Sequence, residues 1–137
     1  MIRAQIARRL ALQILFAWDA NMADLDSVAR SVVREEADEV ARTRAVETAR
    51  GAWVSREVND RWLERISPDW PPRRMPAVDR NLLRLAVWEL TDTDTPPKVV
   101  LDEAIEIARE YSTAESAAFV NGVLDTILRE IRELRGS

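Results

Sequence analysis

Apolar residues recur every three or four positions along most of this 137-residue chain, and this period constrains the fold most. It predicts a first amphipathic helix over 2–20 with a wide buried arc, which comprises Ile6, Ala7, Leu10, Ala11, Ile14, Leu15, Ala17 and Trp18. The further predicted helices are 24–38, 41–66, 75–90, 99–111 and 112–134. Only three glycines are available for tight turns, which argues against a β-rich fold. The pattern therefore predicts an all-α bundle of six to seven helices.

A proline-rich stretch interrupts this pattern once. The sequence Ser-Pro-Asp-Trp-Pro-Pro at 67–72 stops the third predicted helix, because proline lacks an amide donor and clashes with the preceding turn. We predict a linker over 68–74 that joins two helical halves, 1–67 and 75–137. At this length the halves are expected to form one domain, 1–137, with short connections.

The composition argues against catalysis. The chain has no cysteine and no histidine, so it lacks thiolate chemistry, the usual neutral-pH base and the commonest metal ligand. We expect no enzymatic activity, no metal site and no cofactor. No apolar run approaches the roughly 18 residues of a membrane span, and the N-terminus lacks the apolar core of a secretory signal. A cytoplasmic location without membrane attachment is therefore expected.

Charge gives the first candidate binding site. The net charge of −4 is unlike that of a generic nucleic-acid binder. However, the segment from Met1 to Trp18 carries Arg3, Arg8 and Arg9 and no acid. Guanidinium groups pair with phosphates, and several near a chain terminus suit single-stranded nucleic acid. A solvated helix start is the alternative, and both interpretations stay open.

The junction before the last predicted helix is the second candidate. Ser112 and Glu115 have the spacing of a capping box, and free amides at a helix start can hold a phosphate. Tyr111 and Phe119 could stack on bases, and Ser116 lies between them. Glu115 opposes this role, because its charge repels phosphate. The alternative is an ordinary capped helix with Phe119 in the core.

Two apolar side chains on the first helix are the third candidate. Leu12 and Phe16 are predicted to project from an otherwise polar face beside Arg9 and Gln13, which resembles a small protein-contact patch. Burial against the C-terminal half is the alternative.

A separate feature is Gly122, which is costly inside a helix and is predicted to permit a close helix approach, with the Asn121 amide bonded at the crossing.

Several sequence blocks carry a family resemblance. They are Ala-Arg-Arg-Leu-Ala-Leu-Gln-Ile-Leu-Phe-Ala-Trp at 7–18, Ala-Val-Asp-Arg-Asn-Leu-Leu-Arg-Leu-Ala at 77–86, Glu-Leu at 89–90, Val-Val-Leu-Asp-Glu-Ala at 99–104 and Phe-Val-Asn-Gly-Val-Leu-Asp at 119–125. Together they resemble the NusB family of RNA-binding transcription antitermination factors. The resemblance implies an all-α fold of two small subdomains that binds boxA-type leader RNA as a single strand. It also implies ribosomal protein NusE as partner, within an RNA polymerase antitermination complex that suppresses premature termination on ribosomal RNA operons.

The resemblance also implies positions for these contacts. RNA-binding residues are expected at Arg3, Arg8, Arg9, Tyr111, Ser116 and Phe119, and NusE-binding residues at Leu12, Phe16 and Asp79. Three departures from the family pattern weaken the expected RNA affinity. The arginine run is short, Phe16 replaces a common tyrosine, and Ala117 and Ala118 leave Glu115 uncompensated.

Two other functions fit the same sequence. The chain could be a protein-interaction module, a homodimer that buries Leu12 and Phe16, with weak or lost RNA binding. It could also be the accessory domain of an RNA methyltransferase, although it contains no Gly-rich cofactor loop.

Overall fold

The computed structural model describes residues 1–20 and 24–136 of the chain. These residues form seven α-helices and one short 3₁₀ turn, Pro72–Arg74. The helices are α1 (Arg3–Ala20), α2 (Leu25–Val33), α3 (Glu39–Val54), α4 (Arg56–Ile66), α5 (Ala77–Asp92), α6 (Pro97–Tyr111) and α7 (Ala114–Gly136). The prediction of an all-α bundle of six to seven helices is confirmed.

Two predicted helix boundaries were wrong. The single helix expected over 41–66 is divided at Ser55, whose backbone leaves the helical region at φ −89° and ψ 1°. The division lets α4 turn toward the C-terminal half, where Asn59 Nδ2 donates to the carbonyl of Arg84 at 3.3 Å. The second helix ends at Val33 rather than at Asp38. Asp38 instead caps α3, where its Oδ1 accepts hydrogen bonds from the Val40 and Ala41 amides at 3.0 and 3.2 Å.

Two hydrophobic clusters form the core, and α1 and α5 contribute to both. One cluster holds most buried residues of α1, α2 and α3 together with Leu85 of α5. The other holds those of α5, α6 and α7 together with Leu12 of α1 and Leu63 of α4. Each cluster thus takes side chains from both sides of the linker. The division into halves 1–67 and 75–137 stays a prediction.

The close helix approach occurs at Gly51 rather than at Gly122. A Cβ at Gly51 of α3 would overlap the indole of Trp88 on α5, so only glycine fits there. Around Gly122 nothing lies within 4 Å of such a Cβ, and Asn121 is exposed. The prediction for Gly122 and Asn121 was therefore wrong. In the described ranges, no helix has the length and apolar character needed to cross a membrane.

Candidate nucleic-acid interface

Arg8 is held inside the protein. Its Nε donates to Glu89 Oε1 at 2.9 Å and its Nη2 to Glu89 Oε2 at 3.1 Å. Both side chains are nearly inaccessible, and Glu103 lies 3.7 Å from Arg8 Nη1. This pair joins α1 to α5, so the guanidinium is not free to meet a phosphate.

Arg9 is held in the same way by α6. Its Nε and Nη2 donate to the two Glu110 carboxylate oxygens at 2.9 and 2.7 Å, and its Nη1 donates to the Gln5 carbonyl. These hydrogen bonds raise the pKa of Arg9 and lower the pKa of Glu110 relative to their ordinary values. The expectation of a free cationic tip at Arg8 and Arg9 was wrong. The acids that neutralise them lie 81 and 101 residues away, beyond any local pattern.

Arg3 is more accessible. Its Nε donates to Asp38 Oδ2 at 2.8 Å, but about half of its side chain stays exposed. An exposed pair of this kind is weak and easily exchanged for another partner. Arg3 is therefore the member of the predicted set that stays available.

A cleft of about 380 Å³ lies between the linker and the start of α7. Its lining residues are Trp70, Arg74, Met75, Pro76, Asp79, Ser112, Thr113, Glu115, Ser116 and Phe119. Trp70 is 59% exposed, whereas Phe119 is half-buried against the C-terminal core. Arg73 and Arg74 are exposed and form no ion pair within the described part of the chain. The cleft thus combines two aromatic side chains with an unneutralised cation.

Hydroxyl groups organise the α7 side of the cleft. Thr113 Oγ1 accepts from the Ser116 amide at 3.0 Å, so Thr113 caps α7 and the predicted capping role of Ser112 was wrong. Ser112 Oγ donates to Ser116 Oγ, which donates to Asp79 Oδ2, both at 2.8 Å. Asp79 is buried, and its Oδ1 accepts no hydrogen bond from the described residues. Its expected place on an exposed partner surface was therefore wrong, since it lies in the cleft wall.

An apolar groove of about 250 Å³ adjoins the cleft and is lined by Leu12, Gln13, Phe16, Val78 and Tyr111. Phe16 and Tyr111 are 44% and 43% exposed, whereas Leu12 is only 3% exposed. The expectation that Leu12 projects was wrong, because its side chain belongs to the C-terminal core and forms the floor of the groove. Tyr111 lies in this groove, apart from Ser116 and Phe119 in the cleft.

Comparison with known proteins settles the family. The model of the NusB family matches residues 5–129. The transcription antitermination protein NusB of Solibacter usitatus is 44% identical over 131 residues, covering 93% of this chain and 89% of that protein. The chain belongs to the NusB family. The NusB of Symbiobacterium thermophilum is 40% identical, with 96% and 92% of the two chains covered.

Solved NusB structures share the fold. T. maritima NusB is 36% identical and superimposes with a TM-score of 0.85, covering 95% of this chain and 92% of that one. A crystal structure of antitermination factors NusB and NusE in complex with dsRNA contains a chain that is 27% identical, with a TM-score of 0.85 and coverages of 95% and 98%. The predicted family membership and fold class are both confirmed.

Sequence reasoning missed the linker wall of the cleft in this NusB-family chain. Trp70, Arg73 and Arg74 were interpreted only as parts of a proline-rich connection. A usable signal was present, because a tryptophan and two arginines lie within five residues of a polar loop. Loops run over the protein surface and often carry binding residues, so these three side chains are expected to be exposed.

Proposed function

We propose that this chain is an RNA-binding transcription antitermination factor. It binds boxA-type RNA as a single strand together with ribosomal protein NusE, joins an RNA polymerase antitermination complex and suppresses premature termination on ribosomal RNA operons. Its role is binding rather than catalysis, in keeping with a sequence without histidine or cysteine. The observation that carries the proposal is the aromatic and cationic cleft between the linker and α7, which lies beside an apolar groove.

The chemistry of the cleft suits an unpaired strand. Unstacked bases can lie against the rings of Trp70 and Phe119, and each such stack is worth roughly 1–3 kcal/mol. Arg73 and Arg74 can bind the backbone phosphates beside those bases. The start of α7 adds the positive end of a helix dipole, although Glu115 offsets part of that potential. Asp79 and Glu115 also line the cleft, so the attraction for phosphates has to come from Arg73, Arg74 and the start of α7.

The groove suits a protein partner, which we propose is NusE. Its two exposed rings, Phe16 and Tyr111, stand over an apolar floor made by Leu12 and Val78. Aromatic side chains at the rim of an apolar pocket are typical anchors of protein interfaces. The neighbouring structure that contains NusB with NusE supports this choice of partner.

One titration tests both assignments. Fluorescently labelled boxA-type RNA is titrated with the wild type, Trp70→Ala and Phe16→Ala, each with and without NusE. Trp70→Ala should weaken RNA binding by about 1–3 kcal/mol through loss of a base stack. The matched control Trp70→Phe keeps a ring and should retain most of the affinity. Phe16→Ala should weaken NusE binding and leave the RNA affinity of the free chain unchanged.

The groove also supports a second candidate, a homodimer in which two copies cover each other's Phe16. Sedimentation of the free protein distinguishes this homodimer from the proposed RNA-binding factor. A stable dimer that Phe16→Asp dissociates, with no RNA binding even in the presence of NusE, would replace the proposed function with a protein-interaction module.

A further inference from the structure

Arg80 ties three separate parts of the structure together. Its Nε and Nη2 donate to Asp19 Oδ2 at the end of α1, at 2.8 and 2.6 Å. Its Nη1 donates to the main-chain carbonyls of Pro72 and Met75, at 3.1 and 3.2 Å. These two carbonyls bracket Arg73 and Arg74, so one guanidinium connects α1 and α5 to the segment that forms one wall of the cleft.

The side chains of Pro71, Pro72 and Met75 hold the linker against the bundle, since all three are buried and Met75 belongs to the C-terminal core cluster, but its main chain has few hydrogen bonds. Four of the nine residues from 68 to 76 are prolines, which have no amide hydrogen to donate. Its internal bonds are the short-range ones from the Trp70 amide to Ser67, from the Arg74 amide to Pro71 and from the Met75 amide to Pro72. Burial anchors these side chains, and a donor outside the segment can pair its free main-chain carbonyls and fix the path of the main chain between them. Arg80 supplies two hydrogen bonds of that kind.

Arg84, one turn later on α5, provides a built-in comparison. It lies 3.4 Å from the same Asp19, and it donates to Asp60 at 2.7 and 2.8 Å and to Asn81 Oδ1 at 3.3 Å. All of these partners belong to α1, α4 or α5. Arg84 therefore fastens helices to one another, whereas Arg80 fastens helices to the linker.

We propose that Arg80 is a positioning residue for RNA binding, an inference that rests on the proposed function of the cleft. It does not line the cleft or the groove and does not touch RNA. It holds the segment 70–76 so that Trp70 and Arg74 stay opposite Phe119. The role requires the guanidinium fork, because a lysine ammonium is a single point that can keep Asp19 but cannot also span two carbonyls.

The test compares Arg80→Lys with Arg84→Lys, both measured against boxA-type RNA at a temperature where circular dichroism shows native helix content. Arg80→Lys should weaken RNA binding about fivefold, the low end of a lost base stack. Arg84→Lys should leave RNA affinity within about twofold, whatever it does to thermal stability. NusE binding should be equal in both, because the groove is lined by other residues. Arg80→Gln, which keeps an amide donor, supplies the same comparison if the lysine variant is unfolded.

A double-mutant cycle with Arg74→Gln separates positioning from general destabilisation. If Arg80 acts through the linker, Arg74→Gln costs much less affinity in the Arg80→Lys background than in the wild type. Amide hydrogen exchange over residues 69–75 should accelerate in Arg80→Lys and not in Arg84→Lys.

Three results would overturn the inference: an unchanged RNA affinity in Arg80→Lys, a fully additive cost of Arg74→Gln, or equal exchange in the two lysine variants. In each case RNA binding by the wild type would leave the proposed function standing. If the wild type binds no RNA under any condition, the proposed function fails and this inference fails with it.

Discussion

The arginines of α1 and those of the linker differ in what the fold does with their charge. Arg8 and Arg9 are largely buried and pair with the buried Glu89 and the exposed Glu110, so they join α1 to α5 and α6. Arg73 and Arg74 lie on a short exposed turn without an ion-pair partner among the described residues. In the sequence, each pair is two adjacent arginines. The charge available to a ligand therefore depends on which acids the fold places beside it, and counting arginines does not reveal that.

The positions of the two segments explain the difference. α1 packs against α2, α3 and α5, so a charged residue on its inner face must find a partner or carry a large desolvation cost. The linker crosses the outside of the bundle, where water solvates a guanidinium. Pro71, Pro72 and Met75 are buried against the bundle, whereas Arg73 and Arg74 are exposed.

Removing a cation from each set should give the largest contrast in stability. Arg8→Ala leaves the Glu89 carboxylate buried without its donor, which should lower the free energy of unfolding by about 3–5 kcal/mol. Arg74→Gln should change it by less than about 0.5 kcal/mol, as expected at an exposed site. Urea unfolding at pH 7 measures both values. Near-equal losses would mean that the buried Arg8–Glu89 pair does not fasten α1 to α5.

Salt dependence should give the converse contrast in binding. Each arginine that neutralises a phosphate contributes about 0.7 to the slope of log affinity against log salt for a single strand. Arg73→Gln and Arg74→Gln should each flatten that slope, whereas Arg9→Gln should leave it unchanged in whatever fraction stays folded. A slope that responds to Arg9 and not to the linker would return the RNA site to the N-terminal helix.

Local information was enough for most of the fold. Helical periodicity and proline breaks predicted α1, α2, α5, α6 and α7 as separate helices and merged α3 with α4. The break at Ser55 carried no such signal, because the sequence around it keeps a helical period. α4 changes direction there so that Leu63 reaches the second core cluster, and that choice is made by tertiary packing.

The candidate sites were predicted less well, for a physical reason. The outward position of Phe16 follows from helix geometry, since its arc of α1 is set by neighbours along the chain. The burial and hydrogen-bond partners of Leu12, Arg9 and Asp79 depend on helices that come much later in the sequence. Trp70 and Arg74 form one wall of a cleft because the fold brings Phe119 opposite them, and no local pattern in the sequence shows that arrangement.

Acid should weaken the partly buried ion pairs of Asp19 with Arg80 and Arg84, with a smaller effect on stability than Arg8→Ala. Burial raises the pKa of Asp19, but hydrogen bonds from Arg80 and Asn81 and the charges of Arg80 and Arg84 outweigh it and hold that pKa below its ordinary value of 3.8. A carboxyl with a lowered folded pKa binds fewer protons when folded, so its contribution is complete above the unfolded value and disappears as the pH falls through the folded one. The loss is partial, because protonated Asp19 leaves Arg84 with Asp60 and Arg80 with its carbonyls.

Urea unfolding between pH 5 and 3 in about 0.5 M salt, which screens the exposed pairs, should show a fall in stability that is smaller in Asp19→Asn than in the wild type. Equal falls in the wild type and in Asp19→Asn would show that Asp19 does not contribute to the acid sensitivity.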